Sequence, residues 1–353
     1  MTRILAVAPV LPEFHYSQAE ITAELAPLLT VDPSRRAVLE RVHGSARIGE
    51  RYTALPIESY RDLGTFRESN EHFIRIATDL LERALRTALD TAGLAPADVT
   101  YVVFTSVTGI AAPSIDALLV SRLGLRPDVK RMPSYGLGCV GGAAGIARVH
   151  DYLVGHPTEV AVLLSVELCS LTLQRQDETM ANFVATGLFG DGAAAVVMVG
   201  DDHPLRSGPT VVDTRSAIYP ETSEVIGFNV GGTGFEIVLT AGVAEVIEKN
   251  FPAEVDAFLE NNDLTTAEID HWIAHPGGPK ILDAFDVALG LPGAPFALSW
   301  DSLAAVGNLS SASVLHVLAD TMEKSSPQVG DLAMLFALGP GVSAEFVLLE
   351  WRP

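Results

Sequence analysis

Three segments of the chain occur twice in the same order, and a duplication of this kind constrains the fold more than any single motif. Leu94-Ala95-Pro96-Ala97-Asp98-Val99, leading into Tyr101–Thr105, has the pattern of Leu264-Thr265-Thr266-Ala267-Glu268-Ile269, leading into Trp272–His275. The glycine-flanked helix start around Cys139 matches Gly307-Asn308-Leu309-Ser310-Ser311-Ala312 at nearly the same offset, and Gly190-Asp191-Gly192-Ala193 matches Gly339-Pro340-Gly341-Val342. Two similar halves are expected, residues 1–209 and 210–353. The last offset is shorter, which places an insertion near 169–188 of the first half, material for a lid or a pocket wall.

Apolar runs at 101–105, 160–166, 193–199, 272–274, 333–337 and 346–349 alternate with helical patterns at about 70–92, 114–123, 143–154 and 241–260. Strand and helix in alternation is the pattern of an α/β protein. The apolar N-terminus is read as a first buried strand, because Pro9, Pro12 and Glu13 cut it short of a secretion signal. No apolar run reaches the roughly 18 residues needed to span a bilayer. With only Cys139 and Cys169, and no C-x-x-C pair, neither a disulfide scaffold nor structural zinc is expected, and no other metal site. A soluble cytoplasmic protein with reduced thiols is the expectation. The net charge of −21 excludes a broad basic surface for nucleic acid. Arg35, Arg36, Arg41, Arg47 and Arg51 nevertheless fall within one short segment, either a site for an anionic ligand or a solvated helix face.

Three side chains carry candidate chemistry. Cys139 stands among glycines where an apolar helix begins; the unsatisfied N–H groups and positive dipole end of a first turn favour thiolate over thiol. The alternative is an inert buried thiol. His275 ends a strand ahead of Pro276-Gly277-Gly278-Pro279, a rigid turn that aims a side chain, though a lone histidine also serves as structure. Asn308 opens a helix, where capping alone would explain it. In matching places of a duplicated α/β fold, the three can converge on the pseudo-twofold axis.

Taken with their order, these motifs resemble the type III polyketide synthases, the chalcone synthase-like branch of the thiolase superfamily, over nearly the whole chain. The matching residues are Cys139 in Gly-Leu-Gly-Cys, His275 in Ala-His-Pro-Gly-Gly, Asn308 in Gly-Asn-Leu-Ser-Ser-Ala, Glu167–Leu171, Gly187–Ala194 and the loop Gly339-Pro340-Gly341. The resemblance implies a duplicated thiolase-like fold in five layers, αβαβα. It implies that Cys139 accepts the acyl chain and pairs as thiolate with a His275 imidazolium, while His275 and Asn308 stabilise the enolate left when malonyl-CoA loses carbon dioxide. CoA thioesters are the substrates, and no cofactor is implied.

Phe189 resembles the family's gatekeeper between CoA tunnel and reaction chamber; a second gatekeeper falls on Ile237, with Phe235 close by. Val107, Thr108, Cys169, Thr172, Phe228 and Ser310 fall on wall positions, and the loop Gly339-Pro340-Gly341 is expected to border the same pocket. Of the family's cationic CoA contacts only Arg41 has a match, the others falling on Val38 and Ser45, so the grip is expected to draw on Arg35, Arg36 or Arg47. The stretches 108–117 and 147–153 look most similar to actinobacterial and mycobacterial alkylpyrone synthases, which extend an acyl-CoA starter with malonyl-CoA or methylmalonyl-CoA. A pyrone or resorcinol-type product and a homodimer follow by resemblance. The competing readings are a ketoacyl synthase III-like enzyme, which condenses once onto acyl carrier protein, and a catalytically dead scaffold.

Overall fold

The computed structural model describes residues 1–240 and 242–353; Ala241, the first residue of the helix expected at 241–260, lies outside the described residues. The first half runs β1 (Thr2–Val10), β2 (Phe14–Ser17), α1 (Gln18–Leu29), α2 (Pro33–Gly44), β3 (Glu50–Thr53), α3 (Phe66–Ala92), β4 (Val99–Thr105), α4 (Ile115–Leu123), β5 (Lys130–Ser134), α5 (Gly141–Val154), β6 (Val160–Leu168), α6 (Met180–Leu188) and β7 (Asp191–Gly200). The second runs β8 (Pro209–Ile218), β9 (Ile226–Gly231), β10 (Gly234–Leu239), α7 (Gly242–Glu260), β11 (His271–Ala274), α8 (Pro279–Leu289), α9 (Ala297–Val306), α10 (Ser313–Lys324), β12 (Leu332–Gly339) and β13 (Ser343–Trp351).

The main sheet has the order β11-β12-β13-β8-β1-β7-β6-β4-β5. Out from the β8–β1 seam the two sides match for four strands, with β11, β12, β13 and β8 standing for β4, β6, β7 and β1, and β5 is added at the edge of the first half. The pairing senses also match: β4–β6 and β11–β12 are parallel, β6–β7 and β12–β13 antiparallel. Only two residue pairs, Thr2–Val211 and Arg3–Thr210, close the seam, so the two half-sheets are joined by a narrow ladder.

Alternation along the strands builds the layers. On β7, Ala193, Ala195, Val197 and Val199 face α3, while Ala194, Val196 and Met198 face the central helices. On β12, Ala333, Leu335 and Ala337 face the same central helices, and Met334, Phe336 and Leu338 face the α7 and α8 side. Both faces of each half-sheet are therefore buried, which is why these strands read as unbroken apolar runs. The result is the five-layer α/β arrangement expected from the resemblance, with α5 and α10 in the middle. Each fully buried Val or Leu there stabilises the fold by about 1.5–3 kcal/mol.

The two helix starts that carry the candidate residues meet in this central layer. A Cβ on Gly142 would lie 2.3 Å from the Ser311 carbonyl oxygen, so a side chain there would push the start of α5 away from the turn before α10.

Candidate active site

Cys139 lies in a short 3-10 turn, Gly138–Val140, that feeds α5; Asn308 precedes the corresponding turn, Ser310–Ala312, that feeds α10. The Cys139 thiol is 7% exposed and donates to Ser310 Oγ at 3.8 Å. Ser310 takes the left-handed φ of 49°, rare for a non-glycine residue, and its N–H donates to Asn308 Oδ1 at 2.7 Å. The Asn308 amide also donates from Nδ2 to the Gly277 carbonyl at 3.1 Å. That second bond ties Asn308 to the turn after His275. His275 itself is anchored at the end of β11, its N–H donating to the Phe336 carbonyl at 2.9 Å. Its ring is 2% exposed, and neither ring nitrogen has a protein partner.

Burial pushes the Cys139 thiol up to about 12, opposed by the hydrogen bonds from Ser310 and Asn308. Burial alone lowers the His275 imidazole to about 3. Taken singly, both groups are neutral at pH 7. A thiolate and an imidazolium can exist here only as a pair formed together, each charge stabilising the other.

Beside the thiol opens a cavity of about 970 Å³, counted to its open mouth. Of the residues expected to shape it, Thr108, Cys169, Thr172, Phe189, Phe228, Ile237, Ser310 and Pro340 line it. Ile237 and Phe228 face each other across the β9–β10 hairpin, and Phe235, two residues from Ile237 on the same face, packs edge-on against Phe66 at 5.2 Å. Phe235 thus supplies the aromatic ring at the wall where Ile237 does not. The segment 169–188 is a wall, as its extra length suggested: Cys169, Ser170, Leu173, Gln174, Asn182 and Thr186 all border the cavity.

Three expected wall residues do not line it. Val107 is 2% exposed and meets the site through its backbone, its N–H donating to Glu167 Oε2 at 3.1 Å. Gly339 underlies the turn that carries Cys139, where a Cβ would come within 2.6 Å of the Leu137 carbonyl oxygen. Gly341 braces the segment before the β9–β10 hairpin: its N–H donates to the Ile226 carbonyl at 3.0 Å and its carbonyl accepts from Thr222 Oγ1 at 2.8 Å.

Behind the thiol, Glu167 is fully buried and accepts from Ser311 Oγ at 2.5 Å, Thr108 Oγ1 at 2.8 Å and Ser310 Oγ at 3.4 Å. Burial raises its carboxyl above the usual range and the hydroxyls hold it down. Among the described residues no cluster of three or more His, Cys, Asp or Glu is arranged to hold a metal.

The basic segment divides. Arg35 pairs with Glu178, Arg36 with Glu40 at 3.0 Å, and Arg47 with Asp283 at 3.8 Å while lying over the Trp300 ring. Arg41 is exposed on α2 and forms no ion pair among the described residues. Two residues on, His43 Nε2 lies 3.2 Å from Thr186 Oγ1 on the cavity wall, so α2 flanks the chamber. Sequence reasoning misses Arg51, Gln174 and Asn182 as wall residues; nothing in their local pattern marks them.

Residues 2–203 match the N-terminal domain of chalcone and stilbene synthases, and residues 210–352 match the C-terminal domain. Over 352 residues, covering 99% of this chain and 93% of the relative, the sequence is 50% identical to a 1,3,6,8-tetrahydroxynaphthalene synthase of Streptomyces peucetius subsp. caesius. It is 30% identical over 350 residues, 95% of this chain and 87% of the relative, to an alpha-pyrone synthesis polyketide synthase-like protein of Mycobacterium tuberculosis. The crystal structure of 1,3,6,8-tetrahydroxynaphthalene synthase from Streptomyces coelicolor A3(2), a bacterial type III polyketide synthase, superposes with a TM-score of 0.93 at 27% identity over 99% of each chain. No helix of the described residues is long and apolar enough to cross a membrane. Both halves match over nearly their full length, and the chain belongs to the chalcone and stilbene synthase family as a type III polyketide synthase, an acyltransferase.

Proposed function

We propose that Cys139 carries the growing chain and that His275 and Asn308 stabilise the enolate that extends it. The observation that supports this most is the buried His275 ring with both nitrogens unpartnered, at a turn that the Asn308 amide ties to the Cys139 and Ser310 side of the site. A buried polar group without a partner is costly, so it is retained where a substrate atom completes it. Cys139 attacks the acyl thioester of the starter, its proton passes to His275, and CoA leaves as the thiol. Malonyl-CoA, or methylmalonyl-CoA, then binds with its thioester oxygen toward His275 and Asn308. Loss of carbon dioxide leaves the electron pair on the α-carbon and that oxygen; the carbon attacks the acyl-Cys139 carbonyl and the cysteine departs as thiolate. The lengthened chain returns to Cys139 and the cycle repeats until a ring closes. These steps balance without a metal or redox group.

The two family domains support functional halves at 1–209 and 210–353, the first carrying the nucleophile and the second the imidazole and amide. For the product we favour a polyhydroxylated aromatic of the tetrahydroxynaphthalene class, built from malonyl units. The 50% identity to such a synthase supports it. Alternating oxygens at 1,3,6,8 record an unreduced chain of two-carbon units. An alkyl-primed pyrone is the second reading, favoured by the apolar side chains Ile21, Leu25 and Ile57 on another part of the wall. A homodimer, with Arg41 gripping the CoA phosphates, completes the proposal.

Product mass spectrometry tests it. Purified protein receives malonyl-CoA or methylmalonyl-CoA with starters from acetyl-CoA to palmitoyl-CoA, with and without acyl carrier protein. Multiply extended aromatics or pyrones without carrier protein are expected; turnover only with carrier protein would make the enzyme ketoacyl synthase III-like.

A further inference from the structure

Of the five arginines clustered near the N-terminus, Arg51 alone is withdrawn from solvent, at 3% exposure. It stands on β3, and the β2–β3 pairing carries it inward. Its Nε donates to Gln18 Oε1 at 2.9 Å and its Nη1 to the Phe189 carbonyl at 2.7 Å. Its Nη2 has no protein partner. The same side chain lines the cavity, on the wall that holds Thr53, Tyr60, Cys169 and Ser170. The nearby Asp191 carboxylate does not close a salt bridge with it; that carboxylate is committed to the Ala54 N–H at 2.6 Å and the Ser170 N–H at 2.8 Å. Burial lowers the guanidinium to about 10, with Asp191 acting the other way, which leaves it charged at pH 7.

Removing a guanidinium from water costs several kcal/mol, and the cost falls when its remaining donors meet an anion. The three nitrogens of Arg51 play different parts. Nε and Nη1 fix the side chain against Gln18 and Phe189, and Nη2, itself withdrawn from solvent, is left without a protein partner on a side chain that lines the chamber. Neutral carbonyls could accept from it, but a hydroxyl or amide at this place would serve them without the cost of a buried charge.

We propose that Arg51 is an oxyanion subsite of the chain-building cavity, where Nη2 receives a negatively charged oxygen flanked by a second carbonyl. The proposal rests on the reading of Cys139 as chain carrier. That oxygen comes either from the free carboxylate of a malonyl group or from the enolate of the growing poly-β-keto chain. A neutral alkyl starter gains nothing at this site, so Arg51 biases the enzyme toward malonyl-built chains. Its contact with the Phe189 carbonyl places the anion beside the gate, between the thioester and the chamber wall.

The test uses Arg51→Gln, which keeps donors without charge, and Arg51→Lys, which keeps the charge. Intact mass reads acylation of Cys139 by hexanoyl-CoA, and product mass spectrometry reads turnover of malonyl-CoA alone and of malonyl-CoA after hexanoyl priming. In Arg51→Gln, hexanoyl loading is expected to fall by less than about threefold and malonyl-only turnover by about thirtyfold, the loss of one charged hydrogen bond, with Arg51→Lys recovering part of it. If hexanoyl-primed extension is spared, the anion is the free carboxylate of a malonyl starter; if it stops early and releases shortened products, the anion is the chain enolate. Unchanged malonyl turnover, or equal loss in every reaction, overturns the proposal. A measurement on the wild-type protein is independent of how the variants fold: at mildly alkaline pH, acetylacetone, which ionises, is expected to inhibit malonyl-only turnover more strongly than neutral 2-pentanone, and equal effects overturn the proposal. A wild-type protein that builds no polyketide from any CoA pair would instead defeat the parent reading.

Discussion

Asn308 and Phe189 are neighbours on a two-bond parallel bridge: the Asn308 N–H donates to the Leu188 carbonyl at 2.9 Å, and the Asn308 carbonyl accepts from the Gly190 N–H at 2.9 Å. The amide proposed to polarise the thioester and the ring at the chamber wall therefore share one backbone frame. Because the link is backbone, the Phe189 ring is free to vary without moving Asn308. Phe189→Ala is expected to keep Cys139 acylation and malonyl-CoA decarboxylation within about threefold while shifting product chain length. Gly190→Ala is expected to behave in the opposite way. Its Cβ would lie 2.4 Å from the Val306 carbonyl oxygen, forcing the bridge apart, and decarboxylation should fall at least about tenfold.

Asn308→Ala removes the donor that holds the Gly277 carbonyl beside His275 and the acceptor that holds Ser310 in its left-handed conformation. An oxyanion donor is worth about 10²–10³ in rate. Release of carbon dioxide from malonyl-CoA should fall by that factor, with acylation by a neutral acyl-CoA falling much less, as measured by single-turnover kinetics.

Stability should drop in mild acid. His275 is held near 3, and His43 and His316 near 4, in each case first by burial, with Arg51 also acting on His43. Below pH 6.5 the unfolded chain takes up protons that these rings refuse, so their contribution is present at neutral pH and is lost as the pH falls toward 4. Each gives a slope of up to about 1.4 kcal/mol per pH unit. Asp191, raised to about 6 by burial, acts with the opposite sign: it favours the folded state at low pH and loses that contribution as pH rises through 6. His150 and His203, also lowered by burial, join the three imidazoles, and Glu167, Asp286 and Glu345, raised by burial, join Asp191; five groups against four leave a net loss on acidification. Urea unfolding midpoints at pH 7, 6 and 5 should decline in that order, and a midpoint that rises on acidification would contradict the assignment.

Arg41→Ala should raise KM for malonyl-CoA about three- to tenfold with little change in kcat, an effect that shrinks in high salt. Arg36→Ala should change less, because Arg36 already pairs with Glu40 at 3.0 Å. Such surface pairs contribute only about 0–1 kcal/mol, so the contrast measures where the phosphates sit rather than helix stability.

The duplication of the fold is legible in the sequence because β6, β7, β12 and β13 are buried on both faces and carry apolar runs such as Val160–Leu164, Ala193–Val199 and Phe346–Leu349. The other strand at the seam, β8, is not: after Val211 it runs half-exposed through Asp213, Thr214 and Arg215, and only its pairing with β13 identifies it. Among site residues, Cys139, Asn308 and Phe189 stand out through glycine-rich surroundings that the close approach of two helix starts requires. Arg51 does not. Between Glu50 and Tyr52 it reads as surface, and only the folding of β3 toward Gln18 and Phe189 buries it. Val107, Gly339 and Gly341 show the converse limit, since their positions in matched motifs put them near the chemistry without saying which way they face.

The central claim is that Cys139, and not the other thiol of the cavity, carries the chain. Cys169 lines the same chamber, half-buried, with its thiol pushed well above its ordinary value by burial and by the charges of Glu167 and Asp191. Protein quenched in acid during turnover with an acyl-CoA starter and malonyl-CoA, then digested and mapped by mass spectrometry, decides between them. Starter and extended acyl masses on the Cys139 peptide, absent in Cys139→Ala, are the predicted result. Acyl groups on the Cys169 peptide, or full product formation by Cys139→Ala, would contradict it.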